Sequence, residues 1–225
     1  MQIDKINNLL ELFYKQYKKK NKESIFLKSL KEPRKEYSWE DVYLNINKLS
    51  EEISKYIKKG DRCLLVSENR PEWMISDLSI MLSGGVTVPA YTTYTERDYE
   101  YIIDDCTPTI ILISDKIQYE KIINIVPKKN FIKRIIFFEN IENIDEELNL
   151  TIHDIFKRNN SSNQNFSDLK IQRGDLACII YTSGTQGNPK GVMLSHGGIL
   201  NNCEGANQLL KTFISKNPKF LTWLP

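Results

Sequence analysis

The chain has 225 residues, 40% hydrophobic and 10% aromatic, enough apolar material to bury a core of its own as a globular unit. Its 31 basic and 29 acidic residues leave a net charge of +2, which excludes the overall electrostatic pull toward nucleic acid or an anionic membrane that a lopsided balance would give. Cys63, Cys106, Cys178 and Cys203 stand too far apart for zinc or dithiol spacing, and the first three lie in apolar runs where cysteine acts as a small hydrophobe.

In chain order, Ile6, Leu9, Leu10, Phe13 and Tyr17 recur at helical spacing, so residues 4–19 are expected to form an amphipathic helix ending in the solvated basic run Lys18 to Lys20. The segment carries no signal-peptide cleavage pattern, and no stretch of the chain approaches the ~20 apolar residues of a membrane span, so the expected location is cytoplasmic. A peripheral membrane contact through Leu- or Phe-bearing surface helices stays open beside packing on a sheet. Residues 24–38 alternate and contain Pro33, the pattern of a short hairpin. Ser38-Trp39-Glu40-Asp41 has the form of a capping box, and a long helix with Val42, Ile46, Leu49, Ile53 and Ile57 inward should follow, closed by a left-handed Gly60.

The chain then alternates: strand Arg62 to Ser67, helix Pro71 to Ser83, strand Val86 to Tyr91, helix Glu96 to Asp105, strand Thr109 to Ser114, helix Ile117 to Ile125, strand Arg134 to Phe138. Pro71 suits a first helical turn, and Thr95-Glu96-Arg97-Asp98 repeats the capping-box pattern. The strands lack polar alternation, as strands covered by helices on both faces should. The fold class is therefore α/β, with a mostly parallel sheet flanked by helices. Residues 158–168, rich in Asn and Ser, read as a surface loop or linker. Beyond them come a strand from Leu176 to Tyr181, a Gly-rich turn, a strand from Gly191 to Leu194, a helix from about Gly197 to Thr212, and a last strand from Phe220 to Trp223.

The turn YTSGTQGNPKG, Tyr181 to Gly191, concentrates the chemistry. Gly184 and Gly187 let backbone N–H groups approach an anion without a Cβ in the way. Thr182, Ser183 and Thr185 add hydroxyl donors, and Thr185 is also placed to meet a metal ion carried by a nucleotide. Lys190 adds a compact positive charge, and hydrogen bonds to charged groups contribute roughly 1.5–3 kcal/mol each. A Walker loop is ruled out, because Pro189 precedes Lys190, Gly191 follows it, and a strand rather than a helix comes next. A dinucleotide fingerprint fails on the same exit into a strand. His196 and His153 have no nearby nucleophile and carboxylate to work with and read as capping or packing residues. Trp39 and Trp73 read as core.

YTSGTQGNPKGVMLSH resembles the phosphate-binding signature of the AMP-forming ligase superfamily, which includes acyl-CoA synthetases, luciferases and the adenylation domains of peptide synthetases. The resemblance runs upstream through DDCTPTIILISD and KKGDRCLLVSENRPEWMISDLSIMLSGGVTVPAY to YSWEDVY, and SENRPEW is similar to the long-chain fatty-acid–CoA ligases in particular. It implies that residues 1–225 are the N-terminal part of an AMP-binding domain, with the C-terminal lid domain and the adenine pocket beyond them, so that this polypeptide alone is expected to be inactive. The implied activity joins a long-chain fatty acid to coenzyme A through an acyl-adenylate, using ATP and Mg2+. Its partners would be small molecules, with no nucleic acid among them. Thr182, Ser183, Gly184, Thr185, Gln186, Gly187 and Lys190 would hold the ATP phosphates, with Lys190 also aligning them for the reaction. Gln186 departs from the hydroxyl residue usual there: its amide can donate to phosphate but cannot offer a hydroxyl to a magnesium-bound water. Two other readings stand beside this one: an adenylate-forming enzyme with an aryl or amino acid, or an acyl-carrier protein as acceptor, and a short non-catalytic nucleotide-binding module.

Overall fold

Asn8 decides where the first helix begins. In a computed structural model that describes residues 3–142, 144, 150–159, 170–182, 189–210, 212–213 and 218–222, Asn8 is extended and its side chain accepts the Glu11 N–H at 2.8 Å, opening α1 at Leu9–Tyr17. The helix is therefore shorter than the apolar spacing suggests, and Ile6 is buried beside Leu200 instead of extending the helical stripe. β1 (Ile25–Lys28) and β2 (Glu36–Ser38) form the expected antiparallel hairpin. Both halves of the Ser38–Asp41 capping box are made, and α2 (Trp39–Ile53) follows. It stops short of Ile57, because the N–H groups of Lys55 and Tyr56 turn back onto the carbonyls of Glu52 and Ile53. Gly60 takes the left-handed φ of +88° expected of it, but it closes this turn against the Gly84 carbonyl, 2.8 Å away, and caps no helix.

The alternating stretch folds as β3 (Arg62–Val66), α3 (Pro71–Leu82), β4 (Val86–Ala90), α4 (Glu96–Cys106), β5 (Ile110–Ile113), α5 (Lys116–Glu120) and β6 (Arg134–Phe137). Thr95 and Asp98 make the second capping box. α5 ends well before Ile125; the chain continues in tight turns around Pro127, and Ile122 and Ile125 stay buried. Thr151 opens a short helix, α6 (Ile152–Phe156), that the sequence reading lacks, although Thr151-x-x-Asp154 carries the same capping signature as the other two helix starts. β7 (Leu176–Thr182), β8 (Lys190–Ser195) and α7 (His196–Leu210) complete the elements. The last expected strand does not form: residues 220–222 have no strand pairing, and Trp223 lies outside the described residues.

Among the described residues the main sheet runs β6-β5-β3-β4-β7-β8. All neighbours are parallel except β7 and β8, which form an antiparallel hairpin at one edge. Period-two alternation divides the strand side chains between two helical layers. Leu64, Val66, Val88, Ile111, Ile113 and Phe137 pack with α4 and the chain after α5, whereas Cys63, Leu65, Ile110, Leu112, Ile136 and Phe138 pack with α2, α3 and α6. A third apolar cluster joins α1, α2 and α3, with Trp39 stacked on Phe26 at 3.8 Å between ring centres. No helix of the described residues is long and apolar enough to cross a membrane.

Candidate functional site

The ladder between β7 and β8 ends with the pairs Tyr181 opposite Gly191 and Thr182 opposite Lys190. Thr182 and Lys190 are both exposed and stand across from each other where the turn leaves the sheet. Two of the residues expected to bind phosphate are thus brought together by strand register alone. Ser183, Gly184, Thr185, Gln186 and Gly187 lie outside the described residues. Lys190 opens a strand and not a helix, which agrees with the rejection of a Walker loop.

The base of this hairpin is held from one side of the sheet. Tyr181 is buried, its hydroxyl donates to the Asp105 carboxylate at the end of α4, and its carbonyl accepts a long hydrogen bond, 3.5 Å, from the Tyr94 hydroxyl. Burial and the adjoining carboxylate push the Tyr181 phenol well above its usual range, so it remains a donor. Sequence reasoning missed Tyr94 and Asp105. No local pattern connects Asp105 with a residue 76 positions away.

Two acidic residues of α3 are shifted in opposite directions. Glu72 is 1% exposed; burial opposes its ionisation, but Lys35 Nζ at 2.9 Å and Arg70 Nε at 3.0 Å outweigh that and hold it down to about 2. The Tyr37 hydroxyl donates to the same carboxylate at 3.1 Å. His153 Nε2 lies 2.9 Å from Lys35 Nζ, and burial followed by Lys35 lowers its basicity, so it accepts from the ammonium as a neutral ring. The group ties the β1–β2 hairpin, α3 and α6 together and is structural. Asp77 goes the other way. Burial pushes it up to about 6 against a pull from the Thr87 hydroxyl.

His196 is 2% exposed, and burial pushes it down to about 4 against the pull of Asp175. Its Nδ1 accepts the Leu9 N–H at 3.4 Å and its backbone N–H donates to the Asp175 carbonyl at 3.0 Å, which fits the packing and capping role read from sequence. Among the four cysteines only Cys203 is exposed; burial pushes Cys106 up to about 12 and Cys178 up to about 11, keeping both as thiols. Among the described residues no group of three or more His, Cys, Asp or Glu side chains could hold a metal ion.

Residues 13–225 match the family model described as AMP-binding enzyme. The chain belongs to the AMP-binding enzyme family. It is 30% identical over 204 residues to the long chain acyl-CoA synthetase 3 of Arabidopsis thaliana, an alignment that takes in 84% of this chain and 30% of that relative. The chain thus spans about 30% of the length of that curated relative. Among solved structures it superposes on the anthranilate CoA ligase AuaEII in complex with anthranoyl-AMP with a TM-score of 0.76 and 19% identity, covering 95% of this chain and 39% of that one. It superposes on ATP bound MatB from Rhodopseudomonas palustris with a TM-score of 0.69 and 22% identity, covering 88% and 37%. These likenesses show that the parallel sheet with its antiparallel edge hairpin is the fold of the adenylate-forming ligases.

Proposed function

We propose that this chain is the N-terminal part of an AMP-forming long-chain fatty-acid–CoA ligase, and that the β7–β8 hairpin holds the phosphates of MgATP. The observation that carries the proposal is the pairing of Thr182 with Lys190 at the mouth of a turn built from glycines and hydroxyl residues. The fatty-acid substrate is supported by the likeness to the long chain acyl-CoA synthetase of Arabidopsis thaliana, and the nucleotide by the ATP of the MatB structure and the anthranoyl-AMP of the AuaEII complex.

In this reading the backbone N–H groups around Gly184 and Gly187, the hydroxyls of Thr182, Ser183 and Thr185, the Gln186 amide and the Lys190 ammonium converge on the triphosphate. The fatty-acid carboxylate attacks the α-phosphorus, the acyl-adenylate forms and pyrophosphate leaves. The thiol of coenzyme A then attacks the acyl carbon and displaces AMP. The hairpin does no covalent chemistry. It fixes the direction of the leaving pyrophosphate opposite the incoming carboxylate and offsets the charge that builds on it, and such fixed donors can lower a barrier by about 2.7–4 kcal/mol each.

ATP–pyrophosphate exchange by the intact gene product tests this. Exchange should require a long-chain fatty acid, and Lys190→Ala should slow it about 100-fold. Equal exchange by the variant, with unchanged dependence on ATP concentration, would remove the phosphate from this hairpin.

A further inference from the structure

Tyr181 is 2% exposed, yet it stands beside open Thr182 and opposite Gly191, the residue that follows Lys190. A Cβ added at Gly191 would lie 2.8 Å from Ile179 Cγ2 and 3.3 Å from Tyr181 Cζ, so the phenol ring covers the bare backbone of that glycine. Glycine is the softest residue a strand can contain, and an aromatic ring laid across it from the partner strand restrains it. The ring is itself tethered at its far end, where the hydroxyl donates to Asp105 on α4. The tether therefore runs from a helix of the covered sheet, through the Tyr181 ring, to the backbone that begins with Lys190.

We infer that Tyr181 and Asp105 form a positioning pair for the nucleotide: their hydrogen bond sets the direction in which the hairpin presents Thr182 and Lys190 to the ATP phosphates. The inference rests on the proposed phosphate site and adds to it two residues that touch no substrate. Tyr181→Phe removes only the hydroxyl, and Asp105→Asn removes only the charge of the acceptor, so neither change empties the core.

The test uses the intact gene product with Tyr181→Phe, Asp105→Asn, both together, and Lys190→Ala. Tyr181→Phe should raise KM for ATP about five- to tenfold, Asp105→Asn, whose amide oxygen can still accept, by less, and the double change no more than Tyr181→Phe alone, because both act on the same bond. KM for the fatty acid should stay within about twofold, as expected if only the ordering of the nucleotide is lost. Unchanged ATP KM in both single variants, with Lys190→Ala still impaired, overturns the inference and leaves the phosphate site standing. Effects that multiply in the double variant, or a fatty-acid KM rising in step with that for ATP, overturn it as well. If Lys190→Ala is also silent, the phosphate site itself has failed and the positioning pair falls with it.

Discussion

β5 and β8 belong to one sheet and meet opposite fates. Every residue of β5 from Ile110 to Ile113 is fully buried between helical layers, whereas Val192 and Met193 of β8 remain 43% and 68% exposed. The sealed strands draw their stability from contacts on both faces and have no freedom to meet a ligand. The edge hairpin gives up that packing, and in exchange Lys190 and Thr182 are reachable. Its fixed geometry has to come from a few specific contacts, which is why the tether from Tyr181 to Asp105 matters more there than a single hydrogen bond would in the middle of the sheet.

Three substitutions break or sharpen this contrast, read as changes in the urea midpoint of the 225-residue chain. Ile111→Ala in β5 should cost roughly 4 kcal/mol, the usual loss for emptying a fully packed site. A cost below about 1 kcal/mol would mean that the strand is not sealed as described.

Glu72→Gln should cost less and depend on pH. Because partners depress the Glu72 carboxyl from 4.5 to about 2, it contributes on the order of 3 kcal/mol above about pH 4.5, and that contribution is lost as the pH falls toward about 2. The gap between parent and variant should therefore close over this range. A gap that does not change with pH would show that the ion pairs to Lys35 and Arg70 are not its source.

Met193→Ser, on the open strand, should change stability by no more than about 0.5 kcal/mol. A loss like that in β5 would show that β8 is covered in solution.

Much of the covered region was legible from sequence because its signals are local. The Ser38 and Thr95 capping boxes, Pro71 at a helix start and the unbroken apolar strands fix elements within a few residues of themselves. Helix ends were harder. Asn8 starts α1 late, and serine and turn residues after Ile53 stop α2 before its apolar period runs out, since a hydrogen bond made by one side chain outweighs a weak helical preference. α6 went unread although Thr151 and Asp154 announce it, because only five residues follow the cap and too few apolar positions repeat to show a period. Of the candidate site, the residues proposed to hold phosphate stand out in the sequence of the turn itself, and the strands on either side followed from apolar patterning. Asp105 and Tyr94 were not, since their relation to Tyr181 exists only once α4 is laid against the sheet.

Open α/β sheets usually leave a crevice beyond the carboxyl ends of two adjacent strands whose crossovers depart to opposite faces. Here β3 crosses to β4 on one face and β5 crosses to β6 on the other, so the departure falls between β3 and β5. The turn leaving β3 carries Arg70, whose guanidinium already reaches Glu68 at 3.3 Å, Glu72 at 3.0 Å and Glu139 at 2.9 Å. A cation saturated by three carboxylates makes a poor berth for a nucleotide. The cation nearest the customary harbour of this architecture is already engaged, and the berth proposed for an anion lies instead at the rim, where Lys190 stands across from Thr182.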